Sequence, residues 1–167
     1  RTFPEAWLRP GLDDRNWTHR NNMPACGIVQ TSPSEFSMYI SEHYAWPDNR
    51  LRRLTVRRHG FASMHADAAG GEFVTRPLKF TGKHLLLNYS TSAAGSVQVE
   101  IHDAKTGQPI PGHALADMPQ LFGDELDAPV SWNGKTDLSA LVGRAVRFRF
   151  VLKDADVFAI QTKELAP

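Results

Sequence analysis

Residues 84–102, HLLLNYSTSAAGSVQVEIH, decide the fold, because apolar and polar side chains alternate on both sides of a small polar segment. Alternation with a period of two places successive side chains on opposite faces of a β-strand. The segment 91–95, TSAAG, has the composition of a turn, so the sequence predicts a hairpin of two strands. Its apolar face consists of Leu85, Leu87, Tyr89, Val97, Val99 and Ile101.

A second alternating stretch lies near the end of the chain. Residues 146–152, VRFRFVL, alternate apolar side chains with arginine, and 157–161 is the expected partner across the turn 153–156. A further strand at 128–132 ends at Asn133-Gly134, a dipeptide typical of tight turns. The sequence contains no amphipathic pattern as long as three helical turns. Many short strands without intervening helices predict an all-β fold, an antiparallel β-sandwich of jelly-roll or concanavalin-like type.

The first part of the chain does not follow this regular pattern. Residues 1–24 are rich in Trp, Pro, Asn and Arg without a sustained period, which predicts an extended and irregular segment. Strands are predicted at 36–41 and 51–58. We therefore predict an N-terminal extended or short-strand segment at 1–58 and a β-sandwich domain at 59–167.

The composition limits the classes of partner. The 167 residues include 19 basic and 18 acidic side chains, so the formal charge of +1 gives no reason to expect nucleic acid or an anionic membrane as a partner. The sequence has no run of about 18 apolar residues, so no membrane span is predicted. A single cysteine, Cys26, excludes an internal disulfide framework. The start Arg1-Thr2-Phe3-Pro4 has neither an initiator Met nor a tag, which predicts a piece of a longer protein.

Acidic side chains are the candidates for catalysis. Glycoside hydrolysis uses two carboxylates, one as acid and the other as nucleophile or base. The candidates are Asp124 in the long loop region and the pair Asp154 and Asp156 in the last predicted hairpin. Aspartate is also common in turns for conformational reasons alone, so a structural role is the alternative.

Calcium is the metal that the loop carboxylates favour, because it binds several carboxylate oxygens at once. Asp117, Asp124 and Glu125 are the candidate ligands, since they lie in the same long loop region. The seven histidines include no pair at a short ligand spacing, which argues against zinc. No other cofactor is expected.

Trp132, Asn133 and Lys135 are the candidates for binding carbohydrate. An aromatic ring beside polar amides at a turn can stack on a sugar ring, and these residues have that composition. Trp132 also continues the strand parity of Val130, so a tryptophan in the core is the alternative.

Several segments resemble the end of a known protein class. They are Glu5-Ala6-Trp7-Leu8-Arg9-Pro10-Gly11, Asn16-Trp17, the stretch 39–44, Leu51-Arg52-Arg53, Gly60-Phe61-Ala62-Ser63, Gly71-Glu72-Phe73, the stretches 85–88 and 90–95, and the stretch 147–155. Together they are similar to the C-terminal part of bacterial five-bladed β-propeller proteins related to glycoside hydrolase family 32, in which a β-sandwich follows the propeller. The similarity extends over nearly the whole chain.

This resemblance carries expectations about function. It implies that 1–58 is a remnant of the last propeller blade and its linker, and that the missing N-terminal propeller is the partner. The catalytic carboxylates of such proteins lie on earlier blades, so none is carried over to this chain. The expected function is a non-catalytic accessory sandwich that supports the propeller and binds carbohydrate, in a secreted or periplasmic protein.

The alternatives are an enzyme fragment that uses the loop carboxylates and a purely structural interface domain. Unpaired strand edges in the first segment also predict that it folds back or drives self-association.

Overall fold

The structure is a computed structural model that describes residues 6–17 and 23–164. The regular elements of these residues are β-strands and three short 3₁₀ turns. All strand pairs are antiparallel, and they form two separate sheets. The predicted fold class, an all-β antiparallel sandwich, is confirmed. The chain divides into two compact units, Arg1–Arg58 and His59–Pro167. Within the described ranges, no helix has the length and apolar character needed to cross a membrane.

The first unit contains a four-stranded sheet. Its strands are β1 (Met23–Pro24), β2 (Val29–Ser32), β3 (Glu35–Glu42) and β4 (Arg50–Arg57). Strand β3 pairs with β4 along its whole length, while β2 and β1 pair with the two ends of its other edge. A 3₁₀ turn, Asp14–Trp17, precedes the sheet. The part of the predicted irregular segment at 1–5 and 18–22 lies outside the described residues.

The second unit is organised around two unusually long strands. In chain order its strands are β5 (Met64–Ala66), β6 (Gly71–Val74), β7 (His84–Asp103), β8 (Asp124–Pro129) and β9 (Val146–Lys163). The sheet order is β5-β9-β7-β8, and β6 pairs with the first half of β9. Strands β7 and β9 have 20 and 18 residues and pair with each other over nearly their whole length.

The two predicted hairpins are wrong, because each is a single strand that continues through the expected turn. Thr91 pairs with Ala155 and Ser96 with Lys153, so five steps along β7 lie opposite two steps along β9. The segment 91–95 is therefore a bulge in β7 rather than a hairpin turn. The alternating pattern could not distinguish these arrangements, because it reports which face a side chain takes and not which strand it pairs with.

The apolar faces on both sides of the bulge contribute to one core. That core combines both long strands with the loops and 3₁₀ turn that follow β8. Inside it, the Phe148 and Phe150 rings meet edge to face at 6.5 Å, and Phe73 stacks on Phe150 at 4.6 Å. The core members on the long strands are Leu85, Leu87, Tyr89, Val97, Val99, Ile101, Val146, Phe148, Phe150, Leu152, Ala155 and Val157. All six residues predicted for the apolar face of 84–102 are therefore buried together.

Beyond the bulge, residues from loops provide hydrogen-bond partners for the backbone groups along the edge of β7. Val97 exchanges backbone hydrogen bonds with Leu121. The Val99 N–H donates to the sulfur of Met118 at 3.0 Å, and the Val99 carbonyl accepts from Nε1 of Trp132 at 2.9 Å. Side chains thus take the place of a neighbouring strand at this position, which ties the long loop to the sheet.

Candidate functional site

Trp132 belongs to the core and not to a sugar-binding surface. It is 2% exposed, its indole N–H donates to Val99, and its ring lies 5.3 Å from that of His113. A sugar needs an open ring face for stacking, and this ring has none. The alternative of a core tryptophan is therefore the one that the structure shows.

Asn133 and Lys135 remain on the surface beside it. Trp132 and Lys135 form a β-bridge that closes the turn, and Asn133 adopts a left-handed φ of 50°. The side-chain amide of Asn133 donates to Oδ1 of Asp117 at 3.0 Å. This amide is therefore already engaged within the protein, and a carbohydrate role for Asn133 and Lys135 stays a prediction.

The calcium candidates do not form a ligand set. Asp117 caps its own 3₁₀ turn, because its Oδ2 accepts from the Ala114 N–H at 3.0 Å. The hydrogen bond from Asn133, helped by that of Ala114, lowers the pKa of Asp117. Asp124 and Glu125 are consecutive residues of β8, so their side chains take opposite faces. In the described part of the chain, no group of three or more His, Cys, Asp or Glu side chains could hold a metal ion.

Two of the three catalytic candidates share one face of the sheet. Ser90 pairs with Asp124 on one side and with Asp156 on the other. Residues in register across a sheet point to the same face, and two strand spacings separate their backbones by about 10 Å. Asp156 accepts hydrogen bonds from Oγ of Ser63 at 2.6 Å and from Nδ1 of His65 at 3.2 Å.

Asp154 has a different position. It adopts a left-handed φ of 42° in β9 at the level of the β7 bulge, and its N–H donates to the Asp67 carbonyl at 2.8 Å. Aspartate is among the few residues that tolerate this conformation. A conformational reason therefore accounts for Asp154.

A buried carboxylate that the sequence did not single out lies on β7. Glu100 is 5% exposed; its Oε1 accepts from Arg149 at 2.6 Å and from His102 at 2.8 Å, and its Oε2 accepts from the Leu115 N–H at 3.2 Å. Burial alone would raise the pKa of Glu100, but these hydrogen bonds outweigh it and lower the pKa. Arg149 also pairs with Glu72. The only signal in the sequence was that Glu100 and Arg149 are opposite charges at polar positions of two alternating stretches. That pattern does not show that a loop covers the two side chains.

A polar groove lies on the outer face of the sheet beyond the bulge, next to these charges. We call it the Gln98 groove, and its volume is about 520 Å³. Its floor follows the strand register, with Gln98 opposite Val151, Val151 opposite Glu72, and Ser96 opposite Lys153. The small residues 68–71 and the side chain of Gln120 line its walls. Several of these residues lie in the predicted strands, but sequence reasoning singled out none of them for a function.

Two other pockets lie in the second unit. One of about 350 Å³ is lined by polar and apolar side chains, among them Asn88, Asp127, Phe158 and Gln161. The other, of about 250 Å³, is mostly apolar and is lined by Met64, Phe73 and Ile160 among others. Pockets of a few hundred Å³ with several convergent polar groups are typical of small-molecule sites, so the first of these is the alternative to the Gln98 groove.

The first unit contains a charged cluster around a buried histidine. His43 is 5% exposed, and its ring nitrogens lie 2.8 Å from Oδ2 of Asp13 and 2.8 Å from Oδ2 of Asp48. Arg15 pairs with Asp48, and the His43 N–H donates to Oδ1 of Asn16 at 3.1 Å. The cluster therefore joins the 3₁₀ turn Asp14–Trp17 to the β3–β4 connection.

The cluster predicts a pH dependence for the first unit. The hydrogen bonds to Asp13 and Asp48 raise the pKa of His43, and the bond from His43 lowers the pKa of Asp13. Protonated His43 stabilises the folded first unit fully at a pH below its ordinary pKa of about 6.5. This stabilisation is lost as the pH rises through the raised pKa of the folded state. Stabilisation by Asp13 is lost as the pH falls through its lowered value. We expect the first unit to be most stable between these limits.

An NMR titration of the His43 ring measures this effect. Asp13→Asn removes one negative charge, and we expect it to move the pKa of His43 back towards about 6.5. Asp14→Asn is the matched control, because it removes the neighbouring exposed charge. Equal titration of His43 in the two variants would contradict the pairing with Asp13.

Comparison with protein-family models, with curated proteins and with solved structures gave no significant match. The family resemblance of the sequence therefore stays a proposal.

Proposed function

We propose that the chain is a non-catalytic accessory part of a larger glycoside-hydrolase-like protein, supporting a propeller domain and binding carbohydrate. The sheet of the first unit is the observation that carries this proposal. Its strands β2, β3 and β4 are consecutive in sequence and neighbouring in space. These three strands follow the up-and-down order of a propeller blade, while the two-residue β1 shares an edge of β3 with β2.

The second unit supports an accessory role by its own construction. Its core is closed by the long strands and by Trp132, and its buried carboxylate Glu100 is fully hydrogen-bonded to its own chain. A catalytic carboxylate needs access to the substrate and a poised proton, and Glu100 has neither feature. The Gln98 groove is open and polar, which suits binding better than proton transfer.

The coding sequence upstream of Arg1 tests the proposal first. We expect it to encode earlier propeller blades that carry the catalytic carboxylates. In that full-length protein, deletion of 59–167 is expected to lower the thermal midpoint and to reduce binding to polysaccharide. The absence of such blades would remove the glycosidase part of the proposal. An unchanged thermal midpoint would contradict the supporting role.

An enzyme fragment is the second candidate, and the shared face of Asp124 and Asp156 favours it. Inverting glycosidases hold their two carboxyl groups roughly 6.5–9.5 Å apart, and the two aspartates flank a single strand. Hydrolysis of oligosaccharides by this chain, lost in Asp124→Asn and in Asp156→Asn but kept in Asp154→Asn, would support it. Activity that survives both of the first two substitutions would exclude these residues.

A purely structural interface domain is the third candidate. It shares the prediction that deletion destabilises the full-length protein, but it predicts no binding on a glycan array. The array therefore separates it from the accessory carbohydrate-binding domain.

A further inference from the structure

The Gln98 groove contains an acceptor that is held in one orientation. Both side-chain N–H groups of Gln98 are engaged, since Nε2 lies 3.3 Å from the Leu115 carbonyl and 2.9 Å from that of Met118. The reversed amide would place Oε1 against two carbonyl oxygens, so this orientation is fixed by the network. The carbonyl Oε1 of Gln98 is therefore an oriented acceptor in the groove lining.

The same groove contains an ammonium group without an acceptor. Among the described residues, none lies within hydrogen-bond or ion-pair distance of Nζ of Lys153, which lines the groove opposite Ser96. The other charged residue of the lining is Glu72, which pairs with Arg149, an arginine that also pairs with the buried Glu100. The groove therefore offers one ammonium group that no described residue pairs with, beside the neutral hydrogen-bonding side chains of Ser96 and Gln98.

The wall of the groove is formed by residues with little or no side chain. They are Ala68, Ala69, Gly70 and Gly71. Gly70 adopts a φ of +82°, and a Cβ there would lie 3.2 Å from the Leu152 carbonyl oxygen. The wall thus lies close to the β9 backbone and leaves the space above Val151 and Lys153 open.

We propose that the Gln98 groove binds an acidic sugar, with the sugar carboxylate at Lys153 and its hydroxyl groups at Gln98 Oε1, Ser96 and Glu72. This inference rests on the proposed carbohydrate-binding function and names its site and ligand class. Donors and acceptors around the apolar side chain of Val151 suit a polyhydroxylated ring. One ammonium group matches the single charge of a carboxylate better than the higher charge of a phosphate.

An NMR titration of the isotope-labelled chain tests the inference with two probes. A galacturonic acid tetrasaccharide is expected to shift the backbone amides of 68–72, 96–98 and 151–153, and a neutral galactose tetrasaccharide is expected to bind much more weakly. Lys153→Gln should raise the Kd for the acidic probe about tenfold, which corresponds to about 1.4 kcal/mol. Lys79→Gln removes an exposed lysine outside the groove and should leave this Kd unchanged.

A second variant tests the groove independently of charge. Ala69 is exposed on the wall, so Ala69→Trp should fill the groove and abolish binding of the acidic probe while the rest of the spectrum is preserved. Equal binding of both probes, or an unchanged Kd in Lys153→Gln, would overturn the inference. Shifts confined to the pocket that contains Asn88 and Phe158 would overturn it too, but would leave the proposed carbohydrate function in place. The supporting role is judged separately by the deletion of 59–167.

Discussion

Gly95→Ala is expected to destabilise the second unit by at least about 3 kcal/mol. A Cβ at this position would lie 2.3 Å from the Asp154 carbonyl oxygen, 2.8 Å from that of Lys153 and 3.0 Å from the Cβ of Thr91. Two of these three contacts are to backbone atoms, which cannot move aside without disturbing the pairing of β7 with β9. The free energy of unfolding, measured by urea denaturation, is the quantity to compare.

Gly71→Ala is the matched control for this substitution. Gly71 also lies on a strand paired with β9, but its Cβ would meet only the Cβ of Ala66, at an ordinary contact distance of 3.4 Å. We expect the free energy of unfolding to change by less than about 1 kcal/mol, since alanine also restricts the unfolded chain. Equal stability of the two variants would mean that the bulge in β7 does not approach β9 as closely as the structure describes.

The bulge at Gly95 also explains which part of the fold could be predicted. The alternation of 84–102 correctly predicted the buried side chains, because burial of one face depends on local parity. The pairing was wrong, because a small polar segment such as TSAAG suits a turn and a bulge equally well. In a hairpin, Thr91 and Ser96 would pair with each other. In the bulged strand, they pair with Ala155 and Lys153, which are distant in the sequence. Pairing between strands so far apart in the sequence leaves no local signal.

The candidate site was predictable only in part, for a similar reason. Sequence reasoning named Asp124 and Asp156, but their common face follows from their pairing with Ser90, which depends on the register of three strands. The alternation of 84–102 puts Glu100 on the face of β7 opposite the core residues. It is nevertheless buried, because the loop that carries Leu115 lies over it and donates a backbone hydrogen bond. The Gln98 groove combines side chains from three strands and two loops, and no sequence motif brings them together.

Trp132→Ala is expected to destabilise the second unit by about 3–5 kcal/mol, and Trp132→Phe by about 1–3 kcal/mol. The alanine variant leaves a large cavity beside Val99 and His113. The phenylalanine variant keeps most of the apolar contacts but removes the indole N–H, so the Val99 carbonyl loses its donor in a buried place. Far-ultraviolet circular dichroism during urea denaturation measures both effects.

Trp17→Phe also removes an indole N–H, but at an exposed position. Comparison with Trp132→Phe therefore separates the effect of burial from the loss of one hydrogen bond. The Trp17 indole donates to the Gly11 carbonyl at 2.8 Å, but this side chain is 59% exposed. Water can replace the lost donor there, so we expect a cost below about 1 kcal/mol. Equal costs for Trp132→Phe and Trp17→Phe would contradict the buried position of Trp132.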